Sequence, residues 1–394
     1  MRQEPSGNKA IDLIITIIFL SALTMPLFIW IARNDKPFSY QEKRPLQKLP
    51  AWTSTQSFTQ FTKRFDSYFA DHFGFREWLI HRYQREISKR FHSSSLAAVI
   101  KGNQGWLFFT GDRLLDDARA HLKLPEKQER QFWMIFQEKT NWLREKKIAY
   151  FLMIAANKQS IYPEHLPPVY QCGIGKMSRL DHLLQLQAGN MPPNFVDTRS
   201  VLRNKKRVVR LYDKSDTHWN FLGALYSYRY LMQSVGQVFP EIHFNTSFSF
   251  QNNWHYEPGG DLALMLGKRQ ETPEQRPVID SSRFTSHRIP LPGPIANILT
   301  LPQLKPSYTL NQSGSLRILV LHDSFFELIK PFSSETFREA LYLRLYSSGQ
   351  TKLFFNKSLF SQLVDSYHPD LVIEEMVERS LASYLQANWY FLPL

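Results

Sequence analysis

Hydrophobic spacing along this chain changes period several times, and the first stretch has no period at all. Leu13 to Ala32 reads LIITIIFLSALTMPLFIWIA, apolar on every face and free of charge. As a helix it covers about 30 Å, the thickness of a bilayer core. Arg2 and Lys9 precede it, as they precede a signal anchor, and it is longer than a usual signal core with no A-x-A site behind it. Residues 1–34 are therefore predicted to be a retained membrane anchor. A buried core helix is the competing reading, disfavoured because soluble helices of this length carry charge on some face. Pro26 is tolerated in a bilayer helix and Trp30 suits the interface. Arg33, Lys36, Lys43, Arg44 and Lys48 follow the span and blur the positive-inside count. The N-terminal position of the span then favours export of everything after about residue 35.

Residues 35–57, with Pro37, Pro45 and Pro50, read as a linker. Phe58, Phe61, Phe65, Tyr68 and Phe69 recur at helical spacing, Gly74 interrupts that face, and a second helix is expected from Glu77 to Phe91. Gly102–Gly105 reads as a turn feeding a strand at Trp106–Phe109, and Glu126–Lys146 as an amphipathic helix. Short apolar runs at Ile148–Ala155, Arg207–Tyr212, Leu316–Leu321 and Leu371–Glu374 predict strands. Helices are expected among them at 220–235, 335–347, 356–366 and 378–387. Such alternation argues for an α/β fold with a mostly parallel sheet flanked by helices, spanning 58–394 with a loop-rich insertion at about 240–310.

Composition narrows the function classes. Hydrophobic residues make up 43% and charged residues 21%, the balance of a globular chain, so disorder and coiled coil are excluded. A mean hydropathy of −0.35 excludes a multi-span transporter. The single cysteine, Cys172, can supply neither an intrachain disulfide nor a Cys-rich zinc site. Forty-eight Lys+Arg against 35 Asp+Glu give +13 and favour an anionic partner. No zinc-finger spacing, RNP-like motif or long basic run accompanies that charge, which argues against nucleic acid.

Two segments carry candidate chemistry. The strand expected at Leu316–Leu321 ends in His322-Asp323-Ser324, and in a parallel sheet ligands bind at the carboxyl ends of strands. Ser324 there is either a nucleophile beside backbone N–H groups or, with Asp323, simply the cap of the next helix. In Asp213–Asn220, Asp216 and His218 stand two apart, so an extended backbone puts carboxylate and imidazole on one face. His218 can serve as a base whose tautomer Asp216 fixes, or as an ordinary loop histidine. Asn220 is expected to cap the following helix. A metal site from Asp216, His218, His322 and Asp323 has no recognised ligand spacing, and no cofactor is called for. Arg199, Arg203, Lys205, Lys206, Arg207, Arg210 and Lys214 either guide an anionic polymer or form a solvated face.

In this order, behind an anchor, several segments resemble the alginate O-acetyltransferases of the AlgJ/AlgX type, a branch of the SGNH-hydrolase-like fold. They are Glu42-Lys-Arg44, Asp71–Arg76, Gly105–Phe108, Lys158–Pro167, Asp216–Trp219, Gly260–Ala263 and His322–Phe325. The resemblance implies a triad of Ser324 as nucleophile, His218 as general base and Asp216 as orienting acid. It also implies a periplasmic domain held at the inner membrane by residues 13–32, with no cofactor or metal. Acetyl groups would reach it from a multi-span membrane O-acyltransferase and pass through an acetyl-serine to an exported polysaccharide. The length is closer to the AlgJ-like form than to members with a carbohydrate-binding module. One departure stands out: His322 occupies the place of the glycine in the Gly-Asp-Ser of ordinary SGNH enzymes.

Trp219, Lys158, Tyr162, Asp261 and Arg210 are the expected substrate-binding residues, with Trp219 either a sugar-stacking wall or packing. An acetyl-polysaccharide esterase with the same triad and a non-catalytic polysaccharide-binding or assembly factor are the alternative functions.

Overall fold

A computed structural model describes residues 9–32, 38–39, 44–52, 57–91, 98–172, 174, 177–250, 254–300, 304–345, 357–381 and 384. Two compact units stand out, one within 1–97 with 265–267, the other within 98–264 and 268–394.

Among its described residues the first unit holds three helices. Helix α1, Lys9–Ala32, contains the stretch Ala10–Trp30, which is long and apolar enough to cross a membrane; anchors and signal sequences share that property. Helix α2, Phe58–His72, starts where Ser57 Oγ accepts the Gln60 N–H, and α3 covers Arg76–Phe91. The break at Gly74 falls where the sequence pattern puts it. The expected aromatic face is real: Phe61, Phe65 and Tyr68 stand ring to ring along α2.

The second unit is built on a seven-stranded sheet. Its strands in chain order are β1 Ala149–Ala155, β2 Phe195–Asp197, β3 His287–Ile289, β4 Ser307–Leu310, β5 Ser315–His322, β6 Phe337–Arg344 and β7 Leu371–Val377. Across the sheet they run β2-β1-β7-β5-β6-β4-β3. The first five are parallel; β4 and β3 join antiparallel at one edge. Both faces are covered, so alternate residues of one strand enter different cores. Phe151 and Met153 pack with Tyr228 and Leu231 of α5 (Phe221–Val238). Tyr150 and Leu152 pack with Phe132 and Phe136 of α4 (Glu126–Glu145) and with Phe360 of α6 (Lys357–Tyr367). This is the SGNH-like α/β architecture, and it explains why β1 and the stretches Ile318–Leu321 of β5 and Leu371–Ile373 of β7 read as apolar on both faces.

Several expectations need correction. The helix expected at 335–347 is instead the end of a short helix, Lys330–Thr336, followed by strand β6. Phe337, Ala340 and Leu341 fit helical spacing equally well, and parallel pairing with β5 decides against it. The strand expected at Arg207–Tyr212 is absent: a turn follows helix Arg199–Lys205, and only Tyr212 bridges to Trp219. Trp106–Phe109 does form a strand, Leu107–Phe109, but it pairs with Val99–Lys101 in a separate hairpin. The loop-rich 240–310 stretch contributes β3 to the main sheet. Of the helix expected at 378–387, Glu378–Ser380 is a 3-10 turn, and 382–383 and 385–387 lie outside the described residues.

Candidate active site

Strand β5 delivers His322, Asp323 and Ser324 to the carboxyl edge of the sheet, between β7 and β6. The side chains there divide the labour. His322 is fully buried and donates from Nδ1 to the carbonyl of its neighbour Asp323 at 2.6 Å. Burial, with Lys330 nearby, pushes its pKa down to about 3, so it is neutral and belongs to the core. Asp323 points inward too, and its two oxygens accept the N–H groups of Phe325 at 2.7 Å and Val377 at 2.8 Å. Those bonds tie the turn after β5 to the end of β7. They leave Ser324 half-exposed at the head of a 3-10 turn, Phe325–Leu328.

The base arrives from the loop before α5. Asn220 caps α5 as expected, accepting from Leu222 and Gly223 N–H. Tyr212 and Trp219 close the loop between them. Within it Asp216 and His218 meet through a local turn and not through an extended face: Asp216 Oδ1 accepts the His218 backbone N–H at 2.9 Å and bonds its Nδ1 at 2.7 Å. His218 Nε2 lies 2.8 Å from Ser324 Oγ. The structure thus joins Asp216, His218 and Ser324 in one hydrogen-bonded chain, although 106 positions separate imidazole and hydroxyl.

The carboxylate is set for that task. Burial alone would raise its pKa, but the imidazole of His218 and the N–H groups of His218 and Asp261 outweigh burial and hold it well below the ordinary range. Gly260 makes the arrangement possible: a Cβ there would stand 2.3 Å from Asp216 Oδ2. Asp261 binds the N–H and hydroxyl of Thr217 at 2.7 and 3.0 Å, and its carboxylate reaches 3.9 Å from His218 Nδ1. Asp216, His218 and Asp261 therefore offer cation-ligating atoms within 4.8 Å of one another. Asp216 and His218 spend theirs on each other and on Ser324; His322 and Asp323 face the core, so the four-residue metal set considered from the sequence does not assemble.

Of the expected substrate-binding residues, only Asp261 stands beside the relay. Trp219 is buried and its indole N–H donates to Phe325 O at 3.0 Å, so it packs and cannot stack a sugar. Tyr162 is buried under Trp106, its hydroxyl accepting the Leu211 N–H at 2.9 Å. Arg210 turns toward Asp213 and Glu274, at 3.5 and 3.7 Å, and stacks over Trp254. Lys158 is also buried, and its ammonium lies 2.7–2.8 Å from the carbonyl oxygens of Leu107, Asp213, Lys214 and Asp216. It clamps the backbone that carries Asp216. Burial pushes its pKa down to about 7, against the pull of Asp216, Glu274, Asp261 and Asp213.

The basic run is largely spent internally. Arg199 pairs with Asp197 and Asp181 at 2.8 and 2.9 Å, and Lys206 with Glu164 at 2.8 Å. Arg203 and Lys214 donate to the carbonyls of Ser160 and Gln104. Two supporting acids were not foreseen. Glu274 accepts from Lys214 N at 2.7 Å and Ser215 N at 3.1 Å, and lies in a region without periodicity. Glu375, buried in β7, accepts the Asp323 N–H at 3.1 Å. Its sequence signal is an acidic pair, Glu374-Glu375, inside an apolar strand.

Residues 99–290, which include Asp216 and His218, match the family model described as the SGNH hydrolase-like domain of acetyltransferase AlgX. Over that stretch the sequence is similar to the AlgJ/AlgX-type family. Among solved structures, the O-acetyltransferase domain of Pseudomonas putida AlgJ is 16% identical, covering 74% of this chain and 99% of that one, with a TM-score of 0.46. Bacillus cereus PatB1 is 14% identical over 72% of this chain and 96% of its own, with a TM-score of 0.49. For Pseudomonas aeruginosa AlgX the values are 15%, 71%, 62% and 0.39. No curated protein sequence matches the chain. The AlgX-type match brings with it acetyltransferase chemistry in general.

Proposed function

We propose that this AlgX-type chain is a membrane-anchored O-acetyltransferase that acetylates hydroxyls of an exported, alginate-like polysaccharide in the periplasm. The observation that carries the reading is the relay from Asp216 through His218 to Ser324, with bonds of 2.7 and 2.8 Å. Serine needs a base within hydrogen-bond reach, and the base needs a fixed tautomer; both conditions are met here. His218 Nε2 takes the proton as Ser324 Oγ attacks an acetyl donor. The Ser324 backbone N–H holds the oxyanion, since the Phe325 N–H is spent on Asp323 Oδ1, and His218 returns the proton to the leaving group. An acetyl-serine remains. In the second half His218 deprotonates a sugar hydroxyl, that oxygen takes the acetyl carbon, and Ser324 regains its proton.

A membrane acyltransferase is the proposed acetyl supplier, and Asp261 the residue best placed to meet the acceptor. Phe325 packs at 4.8 Å against His218 and supplies an apolar wall that keeps water from part of the base. Purified full-length protein in detergent, given an acetyl ester and polyuronate oligosaccharides, tests the scheme. Acetylated sugar with wild type and none with Ser324→Ala is expected. Free acetate without acetylated sugar establishes an esterase, and sugar binding without turnover in either protein leaves only a binding or assembly factor.

A further inference from the structure

Exposed aromatic residues outside the span are concentrated between positions 52 and 83. Trp52, Phe58, Trp78 and Tyr83 are each more than half exposed, and Leu79 nearly so. They do not lie apart from α1. Trp30 stands edge-on to Tyr68 and Phe69 at 6.3 and 6.0 Å, and the ring contacts continue along α2 through Phe65 and Phe61 to Trp52. The corner between α2 and α3 touches α1 itself: a Cβ on Gly74 would stand 2.4 Å from Pro26 O and 2.8 Å from Ile29 Cβ.

These contacts fix a depth. Ala10–Trp30 is 21 residues, and at about 1.5 Å per residue it matches a hydrocarbon core of about 30 Å. Pro26 and Ile29 then occupy the last turn and a half before the far boundary. A corner that packs on them cannot stand clear of the bilayer; it meets the headgroup layer. The chemistry suits that layer, since Trp and Tyr favour the interface and basic side chains seek anionic headgroups. Residues 57–91 carry seven Lys/Arg against four Asp/Glu.

We infer that the α2–α3 corner is a second membrane-contacting element, seated in the headgroup layer of an anionic phospholipid bilayer with Trp78, Leu79 and Tyr83 reaching the acyl boundary. It orients the first unit on the membrane instead of leaving it on a free tether. The inference rests on α1 spanning the bilayer, so the test reads both.

In full-length protein lacking its native thiol (Cys172→Ser), single cysteines replace Ile18, Trp78, Tyr83 or Val208. Each carries an environment-sensitive fluorophore in nanodiscs of phosphatidylethanolamine and phosphatidylglycerol. Expected is blue-shifted emission, quenched by spin-labelled lipid, at 18, 78 and 83, with water-like emission at 208, whose residue is 88% exposed in the second unit. Water-like emission at both 78 and 83 with lipid-like emission at 18 overturns the inference while leaving the anchor intact. Water-like emission at 18 overturns the anchor and the inference together.

Discussion

Gly260→Ala tests the reasoning about the relay without touching any of its three members. The added methyl carbon would stand 2.3 Å from Asp216 Oδ2, 2.5 Å from its Cβ and 2.7 Å from its Cγ. Ordinary contact begins near 3.4 Å, so the carboxylate must retreat by about 1 Å or the loop must move with it. Either movement stretches the 2.7 Å bond to His218 Nδ1 and the 3.1 Å bond from Asp261 N–H. A displacement of that size at a catalytic group costs about 10²-fold, and losing the orienting acid's function altogether costs about 10⁴-fold in serine triads. The expected fall in kcat/KM for acetyl transfer is therefore between about 10²- and 10⁴-fold. Overpacking costs only about 1–3 kcal/mol of stability, so the protein should still fold. Transfer from an activated acetyl ester, with thermal unfolding of the same preparation, separates the two effects. A variant that melts near wild type and keeps more than a tenth of its activity refutes the claim that Gly260 is needed for Asp216.

Lys158→Met should lower both melting temperature and turnover, because four backbone carbonyls lose a charged donor, at about 1–3 kcal/mol for each buried one left unpaired; unchanged melting and activity would show the clamp to be idle. His322, with its pKa pushed down to about 3 in the fold against about 6.5 unfolded, binds its proton in the unfolded chain first, so stability is lost as pH falls through that window. Wild type should lose about 3 kcal/mol from this group between pH 7 and pH 4, and His322→Asn should lose less, measured by urea unfolding at both values. Burial, and then Asp323, raise the Glu375 carboxyl well above its usual range, so its contribution is largest in acid and shrinks as pH rises from about 4.3 toward the folded value. Glu375→Gln keeps an acceptor for the Asp323 N–H and cannot titrate, so its stability should change less between pH 5 and pH 8; an equal slope in both proteins would count against a protonated Glu375.

Local chemistry was written in the residue order. The uncharged run of α1, the Asn220 cap, the break at Gly74 and the apolar strands β1, β5 and β7 follow from side-chain type and spacing alone. So did the short list that contained Asp216, His218 and Ser324, because a strand ending in polar residues and a D-x-H before a capped helix are local patterns. Choices between equally good local patterns were made elsewhere. Strand β6 satisfies helical spacing, and pairing beside β5 settles it. Trp219 and Arg210 sit near the relay in sequence and Lys158 lies far upstream, yet each turns inward, because the partners they satisfy are Phe325 O, the acids at 213 and 274, and four backbone carbonyls. Glu375 and Gly260 matter only through what stands opposite them. Sequence spacing reports which face of an element a side chain leaves from; what it meets there is decided by distant segments, and that is why the relay's members were legible and their supports were not.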